Sequence, residues 1–292
     1  MAFVGFEMFY RFMPNNYTLK HQELQKRYKT VEVLIFGNSH TFYGLNPKYF
    51  DRPTFNLGNL SQSLYFDQML FEKHIDHLEN LKFVILNVEH FNLSAVVNSS
   101  ANNLKKHYYR SYMDLDVPIV SMWEPKAHLL FLNVNIQQNR GLLARYFREG
   151  TLLYSDSNGF GTNYPKAKAL NIKKNVKESL RRLEDHLIDF SENTARLQSI
   201  IDRCKSKNIE VILVTMPYAR LYREGVNQKK VDKAFLTCRT LDAKNDNVRY
   251  LNLYDDHRFQ DTDFFDADHL HDIGAIKSSK IMNAVLNTYD LK

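Results

Sequence analysis

One serine stands where it could act as a nucleophile, in the run Gly37-Asn38-Ser39-His40. It directly follows the apolar run 31–36, which predicts a buried strand closed by a glycine. A serine at the end of a strand can begin the next turn or helix, where its own backbone N–H helps to stabilise an oxyanion. Taken alone the pattern is weak, because a serine at this position more often caps a helix.

A carboxylate and an imidazole lie three residues apart near the other end of the chain, at Asp266 and His269. Such a pair can form a hydrogen bond in which the aspartate fixes the tautomer of the imidazole, while the other ring nitrogen faces a hydroxyl. The alternative interpretation is a solvated acidic loop that caps the last helix through Asp272. Considered alone, this segment supports both interpretations equally.

Short apolar runs and amphipathic stretches alternate along the chain and would position these residues. The runs that predict strands lie at 31–36, 54–57, 83–88, 209–215 and 248–253. The periodic stretches that predict helices lie at 64–79, 175–205, 228–240 and 273–286. This alternation predicts a three-layer α/β/α fold with a central parallel sheet of five strands. Ligands of such sheets bind beyond the carboxyl ends of the strands, where the serine and the Asp–His pair should meet.

Residues 91–174 interrupt the alternation, and we expect them to form an insertion or cap with some helix near 126–147. Their loop 155–163 contains Asn158 and Gly159 but lacks the lysine and helix context of a phosphate-binding loop. A turn or lid is therefore the expected structure of this loop. We assign Asn158 and Gly159 to substrate binding, together with His40.

Length, composition and charge exclude several classes of protein. The 292 residues are 44% hydrophobic and 25% charged, which rules out a disordered or fibrous chain. The formal net charge of +6 does not indicate a nucleic-acid binder, although it suits an acidic polymer or an anionic membrane surface. Basic residues cluster at 104–110, 166–182 and 220–230. We expect these clusters to be solvated faces, and the alternative is contact with an anionic glycan.

The residues that bind metals give no recognisable pattern. Cys204 and Cys238 match no zinc spacing and could form at most one disulfide. Cys204 falls on the apolar face of its predicted helix and is most simply a core residue. The acidic, histidine-containing run 257–272 has neither EF-hand nor His-Glu-x-x-His spacing. We therefore predict no metal and no cofactor.

Taken together, the two motifs resemble those of the SGNH (GDSL-like) hydrolase superfamily. Gly37-Asn38-Ser39-His40 is similar to its Gly-Asp/Asn-Ser motif after the first strand, and Asp266-Ala267-Asp268-His269 to its Asp-x-x-His motif before the last helix. The resemblance covers residues 30–290, with 91–174 as the poorly matched part. It implies a flavodoxin-like fold, with Ser39 as nucleophile, His269 as general base and acid, and Asp266 as its orienting partner. Asp268 is the rival for the last role.

The resemblance also implies an oxyanion hole. Besides the backbone N–H of Ser39, its second block supplies a backbone donor, which here is Gly58 or Ser61 depending on register. The third block supplies an asparagine side chain, but the plain alignment puts Glu89 there. A carboxylate facing an oxyanion would repel it unless it were protonated or turned away. Loss of one donor typically costs about 100- to 1,000-fold in rate. The expected substitutes are Asn59, Asn87 and Asn92.

Within the superfamily, the motifs are most similar to a divergent branch of bacterial envelope proteins, some of which are O-acetyltransferases for surface polysaccharides. This resemblance implies an acylated carbohydrate or small ester as substrate, a membrane-anchored partner, and a place in the cell envelope or periplasm. Residues 1–29 are predicted to be a segment in front of a catalytic domain at 30–292. Their apolar start is too short to span a bilayer and contains Glu7 and Arg11. It is either a docking helix or the remnant of a membrane anchor.

Two functions from different classes follow. The first is serine-dependent acyl transfer at an ester, through a Ser-His-Asp triad and an acyl-enzyme. Water as the acceptor makes an esterase, and a glycan hydroxyl makes an O-acyltransferase. The alternative is a catalytically weak or inactive module that binds a surface polysaccharide, and the Glu89 departure is its main support.

Overall fold

A central sheet organises the chain. The computed structural model describes residues 2–96, 100–133 and 136–291. Met1 and parts of the predicted insertion, at 97–99 and 134–135, lie outside the described residues. The strands are Val33–Phe36 (β1), Thr54–Asn56 (β2), Phe83–Asn87 (β3), Glu210–Thr215 (β4) and Val248–Asn252 (β5). Each lies within one of the five predicted runs, because short β-branched and aromatic runs bury both faces of a strand.

All neighbouring strands are parallel, in the order β2-β1-β3-β4-β5. The register places Val33 beside both Thr54 and Phe83. The order changes direction between β1 and β3, and ligands of doubly wound sheets bind at such a switch point. The predicted three-layer fold with a five-stranded parallel sheet is confirmed. Its sheet, with Ser39 after the first strand and Asp266 and His269 before the last helix, is the arrangement that the SGNH resemblance implies.

Helices cover both faces of the sheet. The α-helices are Ala2–Phe12 (α1), Asn16–Lys26 (α2), Ser39–Gly44 (α3), Leu64–His74 (α4), His90–Ser94 (α5), Ser100–Met113 (α6), Ile136–Glu149 (α7), Ile172–Leu183 (α8), Ser191–Lys205 (α9), Arg220–Gly225 (α10), Gln228–Lys244 (α11) and Asp272–Asn287 (α12). Short 3₁₀ helices lie at Pro47–Tyr49, Ile75–His77, Pro125–Ala127, Leu130–Asn133, Lys166–Lys168, Asp261–Asp263 and Thr288–Leu291.

The side chains of each strand alternate between two cores. Leu34 and Phe36 of β1 pack in one cluster with residues of α4, α9 and α11. Val33 and Ile35 pack in the other with Met282 of α12. Period-2 alternation thus buries apolar side chains on both faces, which is why these strands read as continuous apolar runs. The two cysteines are free and buried in the first cluster, so the disulfide that the sequence allowed is not formed.

The helix predicted over 175–205 is wrong as one element, because α8 ends at Leu183 and α9 begins at Ser191. In the intervening turn, His186 has a φ of 58°. The carboxylates of Asp185 and Asp189 accept hydrogen bonds from backbone N–H groups two residues further on. Short acidic side chains that bond their own backbone favour turns over helix, and hydrophobic periodicity does not reveal this.

The predicted segment boundaries at 29, 91 and 174 remain predictions. In the part of 91–174 that the structure describes, α6 was not foreseen, and its Tyr109 and Met113 pack in the same core cluster as β1. Leu24 of α2 belongs to that cluster as well. Within the described ranges, no helix is both long and apolar enough to cross a bilayer.

Candidate active site

The turn from β1 into α3 positions Ser39 as the first residue of that helix. Gly37 has a φ of 127°, and a Cβ on it would lie 2.4 Å from the Cβ of Asn87. Only glycine lets the chain pass so close to β3 in this conformation. The next residue, Asn38, caps α3 by accepting a 2.8 Å hydrogen bond from the backbone N–H of His40. Glycine and asparagine thus fix the place of the serine between them.

The structure brings Ser39, His269 and Asp266 together. The Nε2 atom of His269 lies 2.8 Å from the Oγ atom of Ser39, although the residues are 230 positions apart. The Nδ1 atom lies 3.0 Å from each carboxylate oxygen of Asp266. With Nδ1–H donating to Asp266, Nε2 is free to accept the hydroxyl proton of Ser39, which is the order of contacts in a serine triad.

The loop before α12 holds Asp266 in place. Its Oδ1 accepts hydrogen bonds from the backbone N–H groups of Asp268 and His269, at 3.0 and 2.8 Å. The carboxylate therefore cannot swing away from the imidazole without losing both. Asp268, the rival candidate, lies further from Nδ1 of His269, at 3.4 Å. Its carboxylate is bound instead by His40 and Arg182, at 3.2 and 2.6 Å.

A buried charge network lies behind this triad, and we name His40, Glu89 and Asp268 the inner network. The Nδ1 atom of His40 lies 2.8 Å from Glu89, and its Nε2 atom 3.2 Å from Asp268. Burial disfavours a charged imidazole, but attraction to Glu89 and hydrogen bonds to Asp268 and Glu89 raise the pKa of His40 to about 9. Burial raises the pKa of Glu89, but His40 more than offsets this and keeps it below its usual range. His40 is thus an imidazolium between two carboxylates.

The inner network corrects two expectations from the sequence. His40 is 3% exposed and faces Glu89, so it is not a substrate-binding residue. Glu89 is fully buried and turned towards His40 and the amide of Asn38, so its carboxylate does not face the cavity beside Ser39. The expected repulsion between the carboxylate of Glu89 and an oxyanion beside Ser39 is therefore absent.

Backbone geometry distinguishes the two candidates for the second oxyanion donor. The N–H of Gly58 already donates to the side chain of Asn56, at 3.0 Å. Ser61 has a φ of 50°, lines the cavity beside Ser39, and its N–H has no acceptor among the described residues. Left-handed backbone is the conformation that favours glycine, so Ser61 occupies the position where a glycine would be expected. Of the two candidates, Ser61 is therefore the one whose backbone N–H is not engaged by the described residues.

The asparagines predicted to complete the hole either lie away from the cavity beside Ser39 or have their amide engaged by the backbone, which corrects that assignment. Asn87 is the last residue of β3 and lies directly beside Val214 of β4. Its Nδ2 donates to the carbonyl of Val214, at 3.3 Å. Asn59 lines a different cavity. Asn92 does line the cavity beside Ser39, but its Nδ2 donates to the carbonyl of Asn87, at 2.8 Å.

Asn158 and Gly159 lie against the edge strand β2 instead of the cavity, so their assignment to substrate binding is wrong. The carbonyl of Asn158 accepts a 2.9 Å hydrogen bond from the N–H of Asn56. Gly159 has a φ of 85°, and a Cβ there would lie 1.9 Å from the carbonyl oxygen of Asn56. The loop is glycine-containing because it covers a strand edge closely.

The cavity beside Ser39 has a volume of 410 Å³. Its walls combine Ser39 and His269 with apolar and aromatic side chains and the cation of Arg182; the apolar and aromatic ones include Leu60, Phe91, Tyr164 and Leu183. Tyr164 belongs to the predicted insertion and contacts the edge of His269 at a centroid distance of 5.4 Å. It stacks on Tyr43 at 3.8 Å and on Phe265 at 3.9 Å. This aromatic stack packs against one side of the imidazole.

Two basic side chains that support the site were not predicted from the sequence. Arg182, expected on a solvated face, lines the cavity and binds Asp268 at 2.6 Å. Lys20 of α2 is fully buried, and its Nζ donates to the carbonyls of Asn56, Gly58 and Gly159, at 2.6–2.7 Å. It thereby ties α2 to the loop that carries Ser61. No sequence motif marks a lysine whose partners are all backbone carbonyls.

His40, Asp268 and His269 are close enough for a metal, with ligand atoms within 4.8 Å of one another. Both nitrogens of His40 face carboxylates, and those of His269 face Asp266 and Ser39. A metal ligand must present a free nitrogen lone pair. All four ring nitrogens are already in hydrogen-bond contact with other side chains, so this donor set does not fit a metal.

No family model matches the sequence, and no curated protein matches it. Among solved structures, the chain is similar to one described as a candidate platelet activating factor from Streptococcus pneumoniae, with 13% identity over 91% of this chain and 92% of that one, and a TM-score of 0.45. It is also similar to a candidate acylhydrolase from Bacteroides fragilis, with 13% identity, coverage of 91% and 93%, and a TM-score of 0.43. A GDSL-like lipase from Bacteroides thetaiotaomicron gives 13% identity, coverage of 90% and 90%, and a TM-score of 0.42. At these values, function has to be argued from the side chains.

Proposed function

We propose that the protein is a serine-dependent acyl-transfer enzyme that acts on esters. The observation that carries the proposal is the continuous contact from Asp266 through His269 to Ser39, at 3.0 and 2.8 Å, beside a 410 Å³ cavity. A hydroxyl is a weak nucleophile at neutral pH unless an adjacent base takes its proton. Here the base is in hydrogen-bond contact with it and is oriented by a third group.

In the first half-reaction, the Oγ of Ser39 attacks the ester carbonyl while Nε2 of His269 takes the hydroxyl proton. Asp266 stabilises the imidazolium that forms. The backbone N–H groups of Ser39 and Ser61 stabilise the oxyanion of the tetrahedral intermediate. When this intermediate collapses, the bond to the leaving alcohol breaks, His269 gives that oxygen its proton, and an acyl-Ser39 ester remains.

In the second half-reaction, an acceptor hydroxyl attacks the acyl-enzyme and His269 takes its proton. The bond between the acyl carbon and the Oγ of Ser39 then breaks, and His269 returns the proton to that oxygen. Water gives hydrolysis, and a sugar hydroxyl gives O-acyl transfer. Tyr164 and Phe91, both from the predicted insertion, line the cavity and restrict water there. We propose a carbohydrate acceptor and an envelope location on the strength of the sequence motifs. The non-catalytic alternative depended on Glu89, which does not face the cavity, so no observation favours it.

The decisive experiment is covalent labelling with a fluorophosphonate serine probe. The wild-type protein should be labelled once, and Ser39→Ala should not be labelled. Ser111→Ala, which removes an exposed hydroxyl on α6, is the matched control and should be labelled like the wild type. Hydrolysis of p-nitrophenyl acetate, with and without a glycan acceptor, then separates esterase from transferase. A wild-type protein that takes no label and cleaves no short acyl ester would contradict the proposal.

A further inference from the structure

A second cavity, of 180 Å³, shares Leu60 with the catalytic cavity but is otherwise lined by different residues. We call it the tyrosine cavity. It lies where α1 and α2 meet α6 and α7, and Tyr10, Tyr17, Tyr108 and Tyr112 form much of its wall. No step of the proposed acyl transfer uses it.

The wall of the tyrosine cavity is mainly apolar. The rings of Tyr17, Tyr108 and Tyr112 contact one another at centroid distances of 5.7–6.3 Å. The hydroxyl of Tyr112 donates to the carbonyl of Tyr10, at 2.7 Å, so it is directed to the backbone. Leu142 of α7 also lines the cavity. Such a wall offers few partners to the hydroxyls of a sugar, and a buried hydroxyl without a partner is unfavourable.

Asn59 and Lys105, whose side chains carry hydrogen-bond donors, also line this cavity. Asn59 is 2% exposed, and its Nδ2 has no partner among the described residues. An unsatisfied buried donor costs about 1–3 kcal/mol. The Nζ of Lys105 donates to the carbonyl of Leu60, the residue after Asn59, and an ammonium has two further hydrogens. Burial lowers the pKa of Lys105 to about 8, and an anion beside it would oppose that change.

We propose that the tyrosine cavity binds a medium-chain carboxylate, with its alkyl tail among the tyrosines and its carboxylate on Asn59 and Lys105. An apolar cavity of about 150 Å³ holds benzene, so this one takes roughly six to eight carbon atoms. The acceptor oxygens of a carboxylate satisfy the amide of Asn59 and form a charge-assisted hydrogen bond with Lys105. The site does not depend on turnover at Ser39.

The test is calorimetric titration with sodium octanoate at pH 7. The wild-type protein and Ser39→Ala should bind one octanoate with the same affinity. Leu142→Trp, which fills the cavity, should weaken binding at least about 30-fold. Lys105→Met should weaken it about 10- to 100-fold, which corresponds to one hydrogen bond to a charged group. Thermal melting of each variant checks that it is folded. If Leu142→Trp does not fold, Lys105→Met still tests the proposed site.

A neutral acyl lipid, 1-monooctanoylglycerol, separates the carboxylate from an ester-linked tail. It should bind more weakly than octanoate in the wild type, and Lys105→Met should change its affinity less than about threefold. Tighter binding of the glyceride would overturn the assignment of a carboxylate. So would a wild-type protein that binds no octanoate, or one in which Leu142→Trp has no effect. Octanoate binding does not need Ser39. A failed labelling experiment would therefore contradict the proposed acyl transfer without affecting the result for the tyrosine cavity.

Discussion

The substitution Glu89→Gln tests the inner network, because it keeps the shape of the side chain and removes its charge. The raised pKa of His40, from 6.5 to about 9, means that the folded state binds this proton more tightly than the unfolded chain. The group stabilises the fold fully below pH 6.5, where it is protonated in both states. That stabilisation is lost as the pH rises through about 9.

The size of the effect follows from the same two values. One pKa unit corresponds to 1.36 kcal/mol, so the difference amounts to about 3 kcal/mol at pH 6 and is nearly gone above pH 9. Glu89→Gln removes the largest attraction that raises the pKa of His40 and leaves Asp268 as the carboxylate that still binds it. We expect the variant to be less stable than the wild type by about 2–3 kcal/mol at pH 6, and by under about 1 kcal/mol at pH 9.

Urea unfolding curves at pH 6, 7, 8 and 9 measure this difference directly. The comparison at each pH cancels the titration of groups that both proteins share. Glu192→Gln is the control, because it breaks an exposed ion pair with Arg196 and should cost under about 1 kcal/mol at every pH. A difference between wild type and Glu89→Gln that stays constant from pH 6 to 9 would refute the assignment of an imidazolium to His40.

Four further substitutions have defined outcomes. Lys20→Met leaves three buried carbonyls without their donor and should lower the free energy of unfolding by about 2–5 kcal/mol, measured in urea; a loss under 1 kcal/mol would contradict the role given to Lys20. Ser61→Gly relieves left-handed backbone and keeps the N–H, so it should keep kcat for a short ester within about threefold; a loss of about tenfold or more would contradict the role given to this backbone donor. Gly159→Ala should lower the melting temperature by several degrees, about 2 kcal/mol in stability, because its Cβ would collide with β2; an unchanged melting temperature would argue against that packing. Asp266→Asn should reduce kcat for a short ester about 10⁴-fold at unchanged stability, and full activity would remove Asp266 from the mechanism.

The parts of the fold that follow local rules could be predicted from the sequence. Buried parallel strands are short apolar runs, and all five strands lie within runs of that kind that alternate with helical stretches. Ser39, Asp266 and His269 were found because each motif is local and each follows or precedes a predictable element. Their contact could be inferred only because parallel strands end at one edge of the sheet.

The rest depends on tertiary contacts that no local pattern encodes. His40 and Glu89 are 49 residues apart, and only the order β1-β3 makes them neighbours. Gly58 and Ser61 differ as candidate oxyanion donors in a hydrogen bond of Gly58 and in the backbone dihedral angle of Ser61. The residue types reveal neither. Asn158 and Gly159 looked like a substrate loop because the sequence does not show that a strand edge needs covering.

The separation of 230 positions between Ser39 and His269 also affects the order in which the two side chains appear during synthesis. Ser39 leaves the ribosome 230 residues before His269. At about 5–20 residues per second, the serine waits roughly 10–50 s for the imidazole that activates it. Until the imidazole has followed it, a nascent chain carries an ordinary serine, and under the proposed mechanism it has no acyl-transfer activity.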